Sequence, residues 1–357
     1  MTAYRTVATI LVLNLVSCVP GDAPTTPPSI TEPDGAPAAI RGGERLGRAL
    51  VSARHIPGMQ ALLVAQDGEF LRERYYNGST PESVYDVKSV TKSVISALVG
   101  IAIEEGVLES VDQPLSDVLG TVVDSLDEDW ARVTIGNLLT MTAGHSVDAN
   151  GNSGDLFNVN PLAAILGTPV THEPGTRFVY SNASTHLLSV ILTEAAGMST
   201  AEFARIFLFE PLGWEARPWL ADEMGYTIGP WGLHLSARNM LDLGMLYLHA
   251  GRSGDDQVIP AEWIEETTQP WVSLPEFGSG LTRGISAYGY LWWLGRTGGH
   301  DHHSARGFGG QYIFIVPDLD LVVVSICDYR GKDVEEIHAD DASILDLIVE
   351  EIIPAVG

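Results

Sequence analysis

The chain has 357 residues, of which 45% are apolar and 8% aromatic, enough to build a packed core in one large domain or two ordinary ones. Its formal net charge of −26 argues against nucleic acid or an anionic membrane surface as a partner, because both are bound through clustered Lys and Arg. Of the 20 basic residues, 17 are Arg and only three are Lys, at positions 88, 92 and 332.

The first residues predict an export signal. Arg5 precedes an apolar run, 7–16, that is too short for a stable membrane-spanning helix. The run ends in "LVSC", which resembles the bacterial lipobox, so 1–18 is predicted to be a lipoprotein signal peptide with Cys18 as the lipidated residue. The alternative is an ordinary secretory signal that contains a Cys. We expect an exported protein that is lipid-anchored on the periplasmic side of the bacterial cell envelope, and Val19 in place of Asp favours the outer membrane.

Beyond the signal, a tether and the start of a folded domain are predicted. Residues 19–42 are rich in Pro, Thr and acidic side chains, which predicts a disordered tether. The folded domain is predicted to cover 43–357. It opens with a β-hairpin around Asp67-Gly68, and apolar residues at three- and four-residue spacing between 87 and 106 then predict a mostly buried helix.

The remaining elements predict an α/β fold of the α+β kind. Helical segments occupy about 86–284, and strands return in "YGYLWWLG", "QYIFIVP" and "LVVVSIC" before a last helix. We therefore expect one antiparallel sheet, built from about 43–85 and 285–357 and flanked by helices, with a large, mostly helical insertion. Cys327 is expected to be a small buried residue on a strand.

A reactive serine is indicated by Ser89-Val90-Thr91-Lys92. In a helix that begins near Lys88, Ser89 lies in the first turn and Lys92 follows on the same face one turn later, so their side chains can meet. A serine hydroxyl becomes a nucleophile when a base takes its proton, and a lysine is such a base when its surroundings depress its pKa. The alternative is a Ser N-cap beside a solvated Lys. Lys88 is expected to be a surface charge outside the pocket.

A second polar segment is Tyr180-Ser181-Asn182, directly before a predicted helix. A phenol at this point can reach a serine and a lysine, and the amide of Asn182 can hold the lysine while donating to a substrate carbonyl. Together these side chains form acid–base machinery.

A third segment, "SARGFGGQYIFIV", places Gly307, Gly309 and Gly310 at the start of a strand. Glycines there allow a ligand to approach the backbone closely, so that an extended substrate could pair with the strand. The alternative is a bulge or a tight turn.

The three segments, in this order, resemble the serine β-lactamase and penicillin-binding-protein superfamily. Within it, "YDVKSVTKS", "LLTMTAGH", "EPGTRFVYSNAS" and "GFGGQYIFIVPDLDLVVV" look like class C β-lactamase-like serine hydrolases, and are most similar to 6-aminohexanoate-dimer hydrolases and related esterases. The similarity runs from about residue 43 to 350. It implies a β-lactamase/transpeptidase-like fold and acyl-enzyme chemistry with no metal or organic cofactor.

The resemblance assigns a role to each matching residue. It makes Ser89 the acylated nucleophile, Lys92 its general base, Tyr180 the proton shuttle and Asn182 a ligand of the substrate and the lysine. The backbone N–H of Ser89 and one from the glycine-rich strand would form the oxyanion hole. Further substrate-binding or pocket-wall positions are Ala305, Gly307, Gly309, Gly310, His145, Trp231, His303 and Arg306.

The third motif departs from the family pattern. Ala305-Arg306-Gly307 stands where β-lactamases and peptidases carry Lys-Thr-Gly and many esterase relatives carry His-X-Gly. Alanine removes the cation that would hold a carboxylate, which weakens the β-lactamase and carboxypeptidase hypotheses. Arg306 could replace that cation, but its side chain should point to the opposite face of the strand.

Two other patterns suggest different chemistry. "GHDHH", 299–303, has histidines typical of zinc sites but lacks the order found in metallo-hydrolases, which favours a flexible loop without a metal. "GHSVD", 144–148, looks like a nucleophile elbow around Ser146, but Asp148 replaces the final Gly and no strand leads into it.

The sequence thus predicts an exported serine hydrolase that cleaves small-molecule esters or amides. The alternatives are a β-lactamase or a D-alanyl-D-alanine carboxypeptidase-type penicillin-binding protein, and a non-catalytic binding protein of the cell envelope. Trp231, Trp292 and Trp293 are candidates for an apolar acyl pocket or for ordinary core packing. The physiological substrate and the oligomeric state are not determined by the sequence.

Overall fold

The computed structural model describes residues 38–120, 122–123, 126–145, 160–215, 217–275 and 283–357, with the backbone alone for 38–42. The predicted signal peptide with Cys18, the tether up to 37 and Ser146 of the elbow pattern lie outside these residues. Helix α1 (Ala38–Ser52) begins before the predicted tether boundary at 42. The folded domain therefore starts earlier than the composition of the tether indicated.

Eight strands of the described chain form one antiparallel sheet in the order β2-β1-β12-β11-β10-β9-β8-β7. Strand β1 pairs with β12, with Leu63 opposite Val324, so strands from the two ends of the domain lie side by side near one edge of the sheet. This confirms the predicted antiparallel sheet with flanking helices. The strands are β1 (Met59–Gln66), β2 (Glu69–Tyr75), β7 (Val272–Ser273), β8 (Ile285–Tyr288), β9 (Trp293–Thr297), β10 (His300–Gly307), β11 (Gln311–Val316) and β12 (Leu321–Cys327).

The β1–β2 hairpin turns at Asp67-Gly68, as predicted. Both residues have positive φ, 53° and 77°, which suits a two-residue turn between twisted strands. Cys327 is also confirmed as a buried thiol at the end of β12, and burial raises its pKa to about 12. Two of the local expectations drawn from short patterns therefore hold.

The predicted limits of the sheet are wrong in three places. Residues 43–55 are helical rather than part of the sheet. Strand β3 (Val84–Asp86) pairs with β4 (His234–Ser236) in a separate small sheet, and β7 joins the main sheet from within the helical region. The predicted loop at 299–303 is also wrong, because 300–303 opens strand β10. Short strands and polar strand residues carry too weak a period to be recognised.

Helices cover both faces of the sheet. A pair of very short strands, β5 (Arg252–Ser253) and β6 (Asp256–Gln257), lies among them. The further helices are α2 (Val90–Glu104), α3 (Leu115–Leu119), α4 (Glu128–Ala131), α5 (Ile135–Leu139), α6 (Pro161–Leu166), α7 (Asn182–Ala196), α8 (Thr200–Ala204), α9 (Ala237–Leu248), α10 (Ala261–Thr267), α11 (Val334–Asp346) and α12 (Ile353–Val356). Shorter 3₁₀ and π turns cover Ala53–His55, Arg205–Phe209, Pro317–Leu319 and Leu347–Ile352.

The length and composition of the described helices determine whether any of them could cross a membrane. None is long and apolar enough to span one alone, and only the pair α7 with Thr200–Phe209, bent by 78°, passes by length and composition.

The sheet separates two hydrophobic cores, because successive side chains of a strand point to opposite faces. Ile313 and Val324 belong to the larger core, under α2, α7 and α9. Phe314 and Val323 belong to the smaller core, under α1 and α11. Burial on both faces explains why "QYIFIV" and "LVVVSIC" are almost continuously apolar.

Helix α2 is buried almost all round. Every residue from Val90 to Ala102 is buried, with the larger core on one side and α7 on another. Such a helix has little freedom to move, so residues at its start are held at fixed positions in the middle of the domain.

The contact between α9 and the sheet generates a stability test. A Cβ on Gly244 would lie 2.6 Å from Val322 Cγ1 and 2.9 Å from Ile313 Cγ2, whereas a Cβ on Gly47 of α1 meets nothing within 4 Å. We expect Gly244→Ala to lower the free energy of unfolding by about 1–3 kcal/mol through overpacking. Gly47→Ala, the matched control, should raise it by up to about 1 kcal/mol because alanine favours helix. Urea unfolding measures both, and a stabilised Gly244→Ala protein would contradict the close contact.

Candidate active site

Ser89 stands directly before α2 and beside Lys92. Its φ and ψ, −70° and −2°, are already helical, and α2 begins at Val90. One turn later, the Nζ atom of Lys92 lies 3.0 Å from the Oγ atom of Ser89. The structure therefore places the two side chains within hydrogen-bond distance, as the Ser-X-X-Lys spacing predicts.

Lys92 is buried, with 1% of its surface exposed, and is held by uncharged oxygens. Besides Ser89, its Nζ contacts Oδ1 of Asn182 at 2.7 Å and the carbonyl oxygen of Pro230 at 3.2 Å. Burial lowers the pKa of Lys92 to about 7, because the charged form loses its hydration. Near neutral pH, Lys92 is therefore a neutral amine in a large fraction of the molecules. Its free electron pair can then accept the proton of Ser89.

Tyr180 completes this group as a proton donor. Its side chain is hydrogen-bonded to Ser89, and its ring centre lies 5.0 Å from Nζ of Lys92. Burial raises the pKa of Tyr180 to about 12, so the phenol stays protonated while Lys92 titrates. These pKa shifts suit Lys92 for accepting a proton and Tyr180 for donating one.

The segment that carries Tyr180 and Asn182 is anchored at both ends. Ser181 caps α7 by accepting a hydrogen bond from the N–H of Ser184, and its own N–H contacts Sδ of Met141 at 3.3 Å. The carbonyl of Met141 in turn accepts from the N–H of Val179. The "LLTMT" segment therefore supports the Tyr-Ser-Asn motif from behind.

An aromatic group surrounds Tyr180. The ring centre of Trp293 lies 5.1 Å from that of Tyr180, and the ring centre of Tyr288 lies 6.2 Å away and edge-on. Phe178 packs against both Tyr288 and Trp293. These contacts give one side of the site a rigid apolar character.

Strand β10 presents its third-motif residues to different faces. Ala305 is buried in the larger core, on the side of α2. Arg306 points to the other side, where its Nε donates to Oγ of Ser304 and its guanidinium lies 5.7 Å from the ring centre of Tyr312. The expectation of alternating faces is confirmed, and the assignment of Arg306 to the pocket wall is wrong for the same reason.

The end of β10 touches the nucleophile loop. A Cβ on Gly307 would lie only 2.4 Å from the carbonyl oxygen of Val87, so no other residue fits there without movement. This places the main chain after Ala305 next to the residues that lead into Ser89, as an oxyanion hole requires. Phe308, which follows Gly307 and is 40% exposed, was not singled out by the sequence.

Gly309 and Gly310 have another reason to be glycine. They form the turn between β10 and β11, with φ of 79° and 84°. A Cβ on Gly309 would press on Tyr329, and one on Gly310 on Ile344 and Cys327. These contacts account for both glycines through the tight turn that was the alternative, while their role in substrate binding stays a prediction.

The residues predicted to line the pocket wall lie in different surroundings. His145 is buried, stacks on Trp130 at 5.3 Å and lies 3.0 Å from Oγ of Ser184, so it packs inside the helical region instead of lining an open wall. His303 is buried edge-on against Trp292. Trp231 is half-buried and follows Pro230, the ligand of Lys92, which keeps it beside the site.

Adjacent residues of the tryptophan pair and of the histidine cluster also lie in different surroundings. Trp292 is fully buried against Tyr247, in the core, while Trp293 lies beside Tyr180. His302 stacks on Phe314 of the smaller core, on the face opposite to His303, so the two rings cannot meet at one metal ion.

Pro230 is the functional residue that no sequence signal could reveal. It acts through its main-chain carbonyl, which any residue possesses, and its position depends on how the 229–233 loop packs. A Cβ on Gly229, for example, would lie 2.3 Å from the carbonyl oxygen of Thr185, which shows how closely this loop follows α7.

The pKa of Lys92 predicts how the rate depends on pH. Only the neutral amine can take the proton of Ser89, so kcat/KM should rise as pH rises through about 7 and then level off. Tyr180 should cause no fall until the pH approaches 12. Hydrolysis of a neutral ester between about pH 5 and pH 9.5 measures this. A rate that falls as pH rises through 7 would rule out Lys92 as the base, and Lys92→Ala serves as the control without it.

The contact of Gly307 with Val87 predicts a second effect. The methyl group of Gly307→Ala should force β10 away from the nucleophile loop and lower kcat/KM by about ten- to a hundredfold, since small misplacements of catalytic groups are costly. The control is Gly47→Ala, far from the site and free of contacts. Unchanged turnover in Gly307→Ala would show that this contact does not position the reacting groups.

The chain is similar to known proteins in both sequence and structure. The family described as Beta-lactamase matches residues 44–346. A 6-aminohexanoate-dimer hydrolase from Paenarthrobacter ureafaciens is 24% identical over 308 residues, which cover 80% of this chain and 76% of the relative.

Solved structures show the same fold. The octameric penicillin-binding protein homologue from Pyrococcus abyssi superposes with a TM-score of 0.63 at 20% identity, over 87% of this chain and 77% of that one. EstCE1, a hydrolase with promiscuous acyltransferase activity, superposes with a TM-score of 0.65 at 18% identity, over 86% of this chain and 98% of that one. The family match covers most of the folded region and includes Ser89, Lys92 and Tyr180, so the chain belongs to the β-lactamase family of serine hydrolases.

Proposed function

We propose that the protein hydrolyses small, uncharged esters or amides through an acyl-enzyme on Ser89. One observation carries the proposal: Oγ of Ser89 lies 3.0 Å from Nζ of Lys92, a buried amine whose pKa is lowered to about 7. Serine is a weak nucleophile without a base, and here the base is within hydrogen-bond distance and loses its proton near neutral pH.

In the first step, Oγ of Ser89 attacks the carbonyl carbon of the substrate while its proton passes to Nζ of Lys92. The negative charge that forms on the carbonyl oxygen is stabilised by main-chain N–H groups at the start of α2 and the end of β10. As the bond to the leaving group breaks, the Tyr180 phenol donates a proton to the alcohol or amine, and the Lys92 ammonium returns its proton to Tyr180. An ester bond on Ser89 remains.

In the second step, a water molecule attacks the acyl group. Its proton passes to Lys92, the bond from Oγ of Ser89 to the acyl carbon breaks, and Ser89 takes a proton back. The product is a carboxylic acid, and every group returns to its starting state. Asn182 holds Lys92 through its Oδ1 atom, which keeps the amine at the serine in both steps.

The charges near the site favour an uncharged substrate. Ala305 supplies no cation at the third motif, Arg306 lies on the far face of β10, and Lys88 is paired with Asp86 at 2.6 Å. A substrate carboxylate would therefore lack the partner that β-lactamases and carboxypeptidases provide.

The relatives support hydrolysis as the reaction. They include a 6-aminohexanoate-dimer hydrolase and a hydrolase with promiscuous acyltransferase activity, and the complete Ser89, Lys92 and Tyr180 arrangement argues against a binding protein without turnover. The aromatic group around Tyr180 suits an apolar acyl or leaving group.

A matched pair of esters tests the proposal. The 4-nitrophenyl esters of pentanoic acid and of succinic acid are similar in length, but the second ends in a carboxylate. We expect kcat/KM to be at least about tenfold higher for the neutral ester, because the carboxylate of the succinate ester has no cationic partner at the third motif. A tenfold difference corresponds to about 1.4 kcal/mol of interaction free energy. Equal rates, or a preference for the succinate, would contradict the charge argument.

The control for this experiment is labelling by a fluorophosphonate, followed by peptide mapping. One adduct on Ser89, absent in Ser89→Ala, is the expected result. An adduct on Ser146, or none on the wild-type protein, would contradict the acyl-enzyme on Ser89 whatever the esters show.

A further inference from the structure

Lys88, the residue before the nucleophile, has an unusual backbone. Its φ of 51° lies in the left-handed region, which a lysine rarely adopts and which costs about 1–3 kcal/mol unless the surroundings stabilise it. Strain of this kind, one residue from Ser89, calls for a compensating interaction that holds the loop in place.

Asp86 provides that interaction twice. Its Oδ1 atom accepts a hydrogen bond from the backbone N–H of Lys88 at 3.0 Å, and its Oδ2 atom binds the ammonium of the same residue at 2.6 Å. The carboxylate thus binds both the main chain and the side chain of Lys88. A charged acceptor makes such hydrogen bonds stronger than neutral ones.

The same carboxylate also reaches the loop that holds the general base. Oδ1 of Asp86 accepts from the N–H of Gly232 at 3.2 Å, and the carbonyl of Pro230 in that loop binds Nζ of Lys92. One residue on, the N–H of Val87 donates to the carbonyl of Leu233. Asp86 therefore joins the segment before Ser89 to the segment that places Lys92.

Lys88 extends the connection to the end of β10. Its Nζ lies 4.8 Å from the ring centre of Tyr329, and Tyr329 contacts Phe308 edge-on and packs where a Cβ of Gly309 would be. The turn that follows the proposed oxyanion strand is thus tied to the nucleophile loop through one lysine side chain.

We propose that Asp86 and Lys88 are positioning residues of the reaction, which set the distance between Ser89 and Lys92 and the placement of the β10 turn. Neither needs to touch the substrate. The proposal rests on the proposed acyl-enzyme function for its kinetic consequences, but its geometric consequence is independent of that function.

The kinetic test compares Asp86→Ala, Asp86→Asn and Lys88→Met. Asp86→Ala should lower kcat by about a hundredfold, as expected when a reacting group moves by about 1 Å, with KM within about threefold. Asp86→Asn keeps an oxygen for the two backbone N–H groups and should recover most of this loss. Lys88→Met removes the ion pair but leaves those bonds, so its loss should be about tenfold or less.

A second readout separates positioning from general stability. The apparent pKa near 7 in the pH–rate profile should not move in these variants, because burial sets it and Asp86 does not contact Lys92. Arg238→Met is the matched control: it removes the ion pair of Arg238 with Glu73, at 2.8 Å between α9 and β2, outside the site. It should leave kcat unchanged.

Crystal structures provide the test that does not depend on turnover. In Asp86→Ala the distance from Oγ of Ser89 to Nζ of Lys92 should exceed hydrogen-bond length, whereas Asp86→Asn should keep it near 3.0 Å. An unchanged distance in Asp86→Ala, wild-type kcat in that variant, or an equal loss of kcat in Arg238→Met would overturn the proposal. A wild-type protein that neither reacts with fluorophosphonate nor hydrolyses esters would refute the function, and the crystal distances would still decide the role of Asp86.

Discussion

The burial of one amino group is the constraint on which the rest of the structure depends. Moving Lys92 out of water lowers its pKa from 10.5 to about 7, which corresponds to about 5 kcal/mol against the charged form. Three neutral oxygens receive the amine without restoring that charge, so it is retained as a base. The fold accommodates this cost by placing Lys92 on a helix that is buried almost all round and cannot shift toward solvent.

The sheet brings the parts of the site together from distant parts of the chain. Because β1 pairs with β12, both ends of the domain form one platform, and the helical region between them supplies the nucleophile, the tyrosine and the lysine ligands. Strand β10 uses both faces: Ala305 and Gly307 stand toward α2, while Arg306 is buried on the other side against Tyr312 of β11. Contacts on the far face thus fix the strand, while its end at Gly307 lies next to the segment before Ser89.

The charges of the site residues limit which substrates the proposed site can bind. The proposed chemistry uses a serine, a base and an oxyanion hole, and none of these depends on a cation at the third motif. Removing that cation leaves the acylation machinery intact but withdraws the partner of a substrate carboxylate. With Lys88 paired to Asp86, the proposed site combines an activated serine with an aromatic side and has no cation at position 305.

Local patterns in the sequence determined the hairpin at Asp67-Gly68, helix α2, the Ser89–Lys92 spacing and the opposite face of Arg306, because turn chemistry and side-chain periods act over a few residues. The order of three motifs determined the family. Only the tertiary structure decided that Pro230 holds the lysine, that Gly307, unlike Gly309 and Gly310, lies against the segment before Ser89, and that His145 is buried. Such roles depend on main-chain positions and on contacts between residues far apart in the chain, which leave no period or composition to recognise.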